Sequence, residues 1–148
     1  MKYFITLLIP LYLFGISKDQ EACKALVYTE AKKYTNYPST IVAIAFTESS
    51  CGINILGDDG NSLGIMQMQV STAKWVDKRL LKVPTRHLKT MLLLNPRLGI
   101  RLASKLFERH RRRHGYFGAV SRYNGGARNY RYYNKVETKK KQLRNKEI

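Results

Sequence analysis

Apolar residues recur at helical spacing along nearly the whole chain, and this feature limits the folds that it can adopt more than any other. Residues at i, i+3, i+4 and i+7 share one face of a helix, whereas strand residues alternate between two faces. No segment of the sequence shows that alternation. The 148 residues are enough for one compact domain with its own core. We therefore predict an all-α or mainly α fold.

Proline, asparagine and glycine residues place the helix ends. Pro38 and Pro96 suit first helical turns, the second of them with Asn95 as its cap, and Gly115 ends a helix. Residues 52–64 are rich in glycine, aspartate and asparagine, which predicts a loop. The predicted helices cover residues 19–36, 38–50, 65–78, 85–94, 96–114, 117–123 and 128 onward.

The N-terminal segment has the composition of a signal peptide. A lysine is followed by a largely apolar stretch, Tyr3 to Phe14, which is shorter than the ~20 residues of a spanning helix. Gly15 and Ser17 are small residues suited to a cleavage site. We predict a signal peptide over residues 1–17, a domain over residues 18–148, and export to the periplasm or cell envelope. A retained anchor and a buried N-terminal helix are the alternatives.

Export also changes the interpretation of the two cysteines. Outside the cytoplasm, a lone pair of cysteines in a small domain is more often bridged than free. We therefore predict a disulfide between Cys23 and Cys51, with two buried thiols as the alternative. Neither cysteine pairs with a histidine at the spacing of a zinc site. We expect no metal and no cofactor.

The chain is strongly basic, with a formal net charge of +17 at pH 7. Two runs concentrate the charge, Arg109 to His114 and Lys139 to Lys146. Such a charge predicts an anionic partner, which is nucleic acid, a membrane surface or an acidic polymer such as a bacterial wall. A solvated helix face is the alternative for each run.

Glu48 stands at the end of an apolar run, on the face that should point into the domain. It follows Ile41 by seven residues, Ile44 by four and Ala45 by three. Those spacings place all four residues on one side of a helix. A carboxyl group there loses hydration, so its pKa should rise and it becomes a candidate general acid. The alternative is a charged residue that reaches water from a fraying helix end.

Two later motifs supply polar groups that can bind a sugar. The first, "GIMQMQ", spans Gly64 to Gln69, and the second, "RYNGG", spans Arg122 to Gly126. Together with Glu48, their order and separations resemble the lytic transglycosylases with a soluble-transglycosylase (SLT) domain, a lysozyme-like fold. The resemblance extends from Cys23 to Val136. The segments that carry it are Glu48–Ser49, Gly64–Gln67, Asn95–Leu102, Arg122–Gly126 and Tyr132 with Val136.

The resemblance implies cleavage of the β-1,4 bond between N-acetylmuramic acid and N-acetylglucosamine in peptidoglycan. Glu48 would protonate the glycosidic oxygen and then, as a base, take the proton of the muramyl C6 hydroxyl, which closes a 1,6-anhydro ring. The residues that the resemblance assigns to substrate binding are Ser49, Gly64, Met66, Gln67, Tyr123, Asn124 and Tyr132. The chain departs from the family motifs with Ile65 in place of leucine and Arg122 in place of alanine, which adds charge beside the cleft.

Other functions compete with this one. The segment "GDDGNSLGIMQ" also resembles goose-type lysozymes, in which an aspartate can position a water molecule for hydrolysis. Asp58 holds that position as a possible second acid, but Gln69 stands where a further aspartate is expected. A basic nucleic-acid-binding helical protein would explain the charge but not Glu48, so we expect no nucleic-acid partner.

Trp75 is expected in the core. The expected partners are peptidoglycan strands, the anionic wall, and a secretion, conjugation or phage assembly.

Overall fold

The computed structural model of the chain describes residues 17–145. Apart from Ser17, the predicted signal peptide lies outside the described residues, and so does Lys146 of the second basic run. Most of the described residues are helical, which confirms the prediction of a mainly α fold. No helix within this part of the chain has both the length and the apolar character that a bilayer span requires.

Six helices lie within residues 17–145 and follow one another through short connections. In order they are α1 (Lys18–Ala31), α2 (Pro38–Ser49), α3 (Val70–Val76), α4 (Thr85–Leu94), α5 (Pro96–Tyr123) and α6 (Tyr130–Arg144). Two short strands, β1 (Leu56–Gly57) and β2 (Ser62–Leu63), form an antiparallel pair between α2 and α3. Short 3-10 helices span Asp58–Gly60 and Lys78–Lys82.

Helix ends that depend on local capping lie where the sequence predicts them. α2 begins at Pro38, and α4 spans the predicted residues. α5 begins at Pro96, where the Asn95 side chain accepts a hydrogen bond from the backbone N–H of Leu98 at 3.1 Å. Gly115 has φ of 70° and ψ of −177°, which are not helical values, so α5 consists of two helical stretches that meet at a kink where the sequence predicts a helix end.

The predicted end of the first helix near residue 36 is wrong, because a long-range contact decides the backbone there. α1 ends at Ala31. Thr35 is buried, and its hydroxyl donates to the Glu108 carboxylate on α5 at 2.6 Å. The same hydroxyl accepts a hydrogen bond from the backbone N–H of Tyr37 at 3.1 Å. These bonds fix a turn between α1 and α2 that sequence spacing does not reveal.

The predicted helix over residues 65–78 is also wrong in its first part, since α3 begins only at Val70. Gly64 and Gln67 have positive φ values, 72° and 47°, which a helix does not contain. A bridge between Leu63 and Met68 closes these residues into a tight turn. The predicted loop before them likewise contains the β1–β2 pair.

α2 is the centre of the core and is apolar on every side. All residues from Thr40 to Phe46 are buried, and the helix packs against α1, α5 and α6. A helix surrounded in this way needs no polar face. Because its C-terminal end leaves the core at Thr47 and Glu48, which are half-buried, α2 carries a carboxylate from the interior to a surface opening.

Several contacts tie down the turn that follows α2. Ser50 and Cys51 have left-handed φ values of 52° and 55°. Cys51 forms a disulfide with Cys23 on α1, with their Cα atoms 5.9 Å apart. The Gln20 amide donates to the Ser50 carbonyl at 3.0 Å. α1 therefore braces the strained turn directly behind Glu48.

Candidate active site

A cleft of about 400 Å³ opens where the C-terminal end of α2, the β1–β2 segment, α3 and the end of α5 meet. It brings together the distant motifs that sequence analysis singled out. Its lining consists of Glu48, Asp58, Ser62, Gln67, Met68, Gln69, Thr72, Trp75, Leu106, His110, Arg122, Tyr123, Asn124 and Gly125. Of the predicted site residues, four side chains besides the possible second acid line this cleft: Glu48, Gln67, Tyr123 and Asn124.

Glu48 has the environment of a carboxyl group that holds its proton more tightly than usual. Burial raises its pKa, and the negative charge of Asp58 acts in the same direction. The Tyr132 hydroxyl, which donates a hydrogen bond to Glu48 Oε1, and the Lys135 ammonium oppose that rise because both favour the ionised form. Since burial is the largest influence, the pKa of Glu48 is raised, which suits a general acid better than the pKa of an exposed glutamate.

Two tyrosines hold the site together through hydroxyl groups that stay protonated. Tyr132, on α6, is buried and donates to Glu48. Tyr123 donates to the Met66 carbonyl oxygen at 2.8 Å, which joins the end of α5 to the turn after β2. Burial and the nearby Glu48 charge raise the pKa of both phenols, so both act as hydrogen-bond donors at physiological pH.

Gln67 reaches the cleft from the tight turn between β2 and α3. Its side-chain amide donates to the Gly64 carbonyl at 2.9 Å and to the Asn54 carbonyl at 3.1 Å. Those bonds hold the residue in its left-handed conformation and fix its amide at the cleft wall. Because these two carbonyls take both N–H donors of the amide, Oε1 is the atom left to accept a hydrogen bond from a hydroxyl or N-acetyl N–H group of a sugar.

Four residues predicted to bind substrate do not line the cleft: Tyr132, which is buried and bonds Glu48, and three that lie behind the cleft surface, Ser49, Gly64 and Met66. Ser49 is buried, with its hydroxyl 2.8 Å from the Ile65 carbonyl and accepting from the Gly52 N–H at 2.9 Å. Met66 is buried and offers its carbonyl to Tyr123. Gly64 packs so closely on α4 that a Cβ there would lie 2.3 Å from the Leu92 carbonyl oxygen. These contacts shape the wall, and the three side chains are not part of the cleft lining.

Asp58 is the second carboxylate of the cleft, but it differs from Glu48 in its surroundings. Its side chain is exposed, and Oδ2 accepts a hydrogen bond from the Ser62 hydroxyl across the β1–β2 turn. Its φ of 48° and its place in a 3-10 turn match the loop chemistry typical of aspartate.

Sequence reasoning missed one wall of the cleft. Trp75 is 39% exposed and lines it, so the expectation that this residue belongs to the core was wrong. Its ring stacks on that of His110, with centroids 5.9 Å apart, and the Arg109 guanidinium lies 4.3 Å from its centre. Helical spacing could have predicted this position of Trp75, because Ala73 and Val76 mark the buried face of α3 and Trp75 lies outside that face.

Removing the Tyr132 hydroxyl should raise the pKa of Glu48 further. In Tyr132→Phe the carboxylate loses the hydrogen bond that favours its ionised form, while burial still opposes ionisation. Titration of the Glu48 carboxyl carbon by NMR measures this shift. Tyr133→Phe is the matched control, because Tyr133 lies on the same helix and packs on Tyr116 and Phe117. A lowered pKa in Tyr132→Phe, or equal shifts in both variants, would contradict the assignment.

Comparison with known proteins adds one finding. A family model described as the transglycosylase SLT domain matches residues 25–146, which is most of the chain. No curated protein and no solved structure gives a significant match. Within residues 17–145 there is no group of three or more histidine, cysteine, aspartate or glutamate side chains that could hold a metal ion.

Proposed function

The chain belongs to the transglycosylase SLT domain family, and on that premise we propose that it is a peptidoglycan lytic transglycosylase with Glu48 as its single acid and base. Membership supports a mainly α, lysozyme-like fold and a glycan-cleaving enzyme that acts on peptidoglycan. The proposed bond is the β-1,4 link from N-acetylmuramic acid to N-acetylglucosamine, and the proposed products carry 1,6-anhydro-muramyl ends.

One observation carries the proposal: a half-buried carboxyl group with a raised pKa faces the cleft that the family motifs enclose. Glu48 first donates its proton to the glycosidic oxygen as the bond from C1 to that oxygen breaks. The glutamate, now ionised, then accepts the proton of the muramyl C6 hydroxyl as its oxygen bonds to C1. Glu48 ends the cycle protonated, and no water is consumed.

Intramolecular attack suits a site with one acidic group of this kind. The C6 hydroxyl is attached to the sugar that reacts, and well-oriented intramolecular groups reach effective concentrations of roughly 10⁵ M or more. A water molecule would need a positioned base. Gln69 lines the cleft where a goose-type lysozyme offers a further acid, and an amide cannot take a proton. These features favour ring closure over hydrolysis.

Product analysis tests this proposal. Mass spectrometry of digested glycan strands should show anhydro-muramyl ends, each lighter by one water than a reducing end. Asp58→Asn should leave that pattern unchanged because the mechanism gives Asp58 no proton to carry. Asp59→Asn is the matched control, since its neighbouring side chain is exposed and does not line the cleft.

The shared cleft of Glu48 and Asp58 also supports a second candidate, a goose-type muramidase. In that enzyme Asp58 would position water on the opposite face of the sugar, as the second carboxylate of an inverting glycosidase does. Predominantly reducing ends, lost in Asp58→Asn but not in Asp59→Asn, would establish this alternative and refute the transglycosylase.

We also propose export and electrostatic attachment to the anionic wall. The Cys23–Cys51 bridge supports export, since disulfides persist in oxidising compartments. Not every charge of the first basic run is available to bind the wall. Arg111 pairs with Glu108 at 2.9 Å, and Arg109 packs on Trp75. Arg112, Arg113, Lys141 and Arg144 are exposed.

Wall binding should therefore weaken as salt rises, because ions screen exposed charges over ~8 Å at physiological strength. Sedimentation with purified walls at increasing salt measures the effect. The double variant Arg112→Gln with Arg113→Gln should sediment less at low salt but cleave short soluble fragments at the wild-type rate. Equal sedimentation of the wild type at low and high salt would contradict attachment by charge.

A further inference from the structure

We propose that Arg122 binds a carboxylate carried by the muramyl residue of the substrate, in a subsite beside the reacting bond. This inference rests on the proposed function and adds a recognition element to the same cleft. Arg122 lies in the last turn of α5 and lines the cleft with Glu48. The family motif resembled by this segment has alanine at that position, so the subsite is a feature of this chain.

The Arg122 guanidinium makes no ion pair within the described part of the chain. Its Nε atom is buried and has no hydrogen-bond partner among residues 17–145. A buried polar group left without a hydrogen bond destabilises a folded protein, and more so when it is charged. The ion pairs within the described part of the chain use other cations: Lys33, Arg79, Arg97, Arg101, Arg111 and Lys140. A bound anion would supply the opposite charge that the described residues do not give Arg122.

The cleft lining carries charges of both signs. It includes the carboxylates of Glu48 and Asp58 and the guanidinium of Arg122, together with His110. Burial lowers the pKa of His110, and the positive charge of Arg122 acts in the same direction. Trp75 stacks on His110 and gives the cleft an aromatic surface. An anionic group attached to a sugar ring fits such a surface.

A carboxylate is the anion that peptidoglycan offers there. The fork of an arginine presents parallel N–H groups that match two carboxylate oxygens. The muramyl residue carries a lactyl ether, whose carboxylate is free on strands stripped of peptide and amide-linked on intact strands. The stem peptide of an intact strand carries carboxylates of its own, whereas N-acetylglucosamine carries none. Both sources present the same chemistry to Arg122.

Binding measurements in the Glu48→Gln background, where the glycan is not cleaved, separate these cases. Titration calorimetry is run with three ligands: peptide-free muramyl oligosaccharides, the same oligosaccharides with stem peptides, and the neutral N-acetylglucosamine hexamer. Arg122→Gln removes the charge and the fork. Arg128→Gln removes an equal charge from an exposed position that does not line the cleft, and it serves as the matched control.

We expect Arg122→Gln to weaken binding of a carboxylate-bearing ligand by about 10-fold or more and to leave the neutral hexamer unchanged. The affinity of Arg122→Lys for that ligand should lie between those of Arg122 and Arg122→Gln, since lysine keeps the charge but lacks the parallel N–H groups of arginine. If Arg122→Gln weakens binding of the peptide-free ligand alone, Arg122 binds the lactyl carboxylate. If it weakens binding of the peptide-bearing ligand alone, Arg122 binds a carboxylate of the stem peptide.

Equal weakening of all three ligands, or of none, would overturn the subsite. Failure of the proposed function has a different signature. In that case the wild-type protein cleaves no peptidoglycan, and the Glu48→Gln protein binds none of the three glycans, whatever residue stands at position 122.

Discussion

Glu48→Gln should reduce peptidoglycan cleavage by a factor of roughly 10²–10⁴, the usual contribution of a positioned acid or base. The amide keeps the shape of the side chain and can still accept the Tyr132 hydrogen bond. It cannot donate a proton to the glycosidic oxygen or take one from the C6 hydroxyl. Because one group performs both transfers, its loss disables the two halves of the reaction together. Release of soluble muropeptides from purified peptidoglycan measures the rate.

The same variant should be at least as stable as the wild type at neutral pH. The folded-state pKa of Glu48 is raised above its unfolded value, so its contribution to stability is greatest at low pH and is lost as pH rises through the folded pKa. Glutamine carries no charge to bury and avoids that loss. Thermal unfolding at pH 5 and pH 8 checks the sign: the advantage of the variant should grow toward the higher pH.

The matched control is Glu21→Gln, a glutamate on the exposed side of α1 that lies outside the cleft. It should keep both wild-type activity and wild-type stability. Near wild-type cleavage by Glu48→Gln would remove the central assignment. So would a fall in its unfolding temperature, because inactivity would then follow from misfolding rather than from a missing proton.

The position of Glu48 could be predicted because only local information was needed. An unbroken apolar run with Pro38 at its start defines a buried helix, and Glu48 stands where that run ends. Because α2 is buried on every side from Thr40 to Phe46, the end of the run places the carboxylate at the edge of the core. Such local arguments use one helix at a time. They gave α2, α4 and the start of α5 correctly.

The parts that the sequence did not reveal depend on contacts between distant segments. The turn that holds Gln67 exists because Gly64 packs on the Leu92 carbonyl and because the Gln67 amide reaches Asn54. Helical propensity favours continuing the helix there, and tertiary packing overrides it. Ser49 illustrates the same limit: motif resemblance identified it, but only the structure shows that its hydroxyl bonds the backbone of the next turn.

Replacing both cysteines with alanine should lower the free energy of unfolding by roughly 3–4 kcal/mol, the chain-entropy value for a loop of this length. The bridge joins residues 28 apart in sequence, Cys23 on α1 and Cys51 in the left-handed turn after α2. Without the bridge, the unfolded chain has more conformational entropy, which stabilises the unfolded state relative to the folded state. For a domain of this size we expect the unfolding temperature to fall by roughly 10 °C or more.

Cleavage activity should fall less than tenfold at temperatures where the variant stays folded. Ser49 still bonds the turn, Gln20 still reaches the Ser50 carbonyl, and Tyr132 still holds Glu48, so the carboxyl group keeps its place. Chemical denaturation of the oxidised wild type, the reduced wild type and the double variant gives the comparison. The last two should agree, since both lack only the bridge. A double variant within about 1 kcal/mol of the oxidised protein, or a wild type whose thiols alkylate without reductant, would show that the bridge does not stabilise this fold.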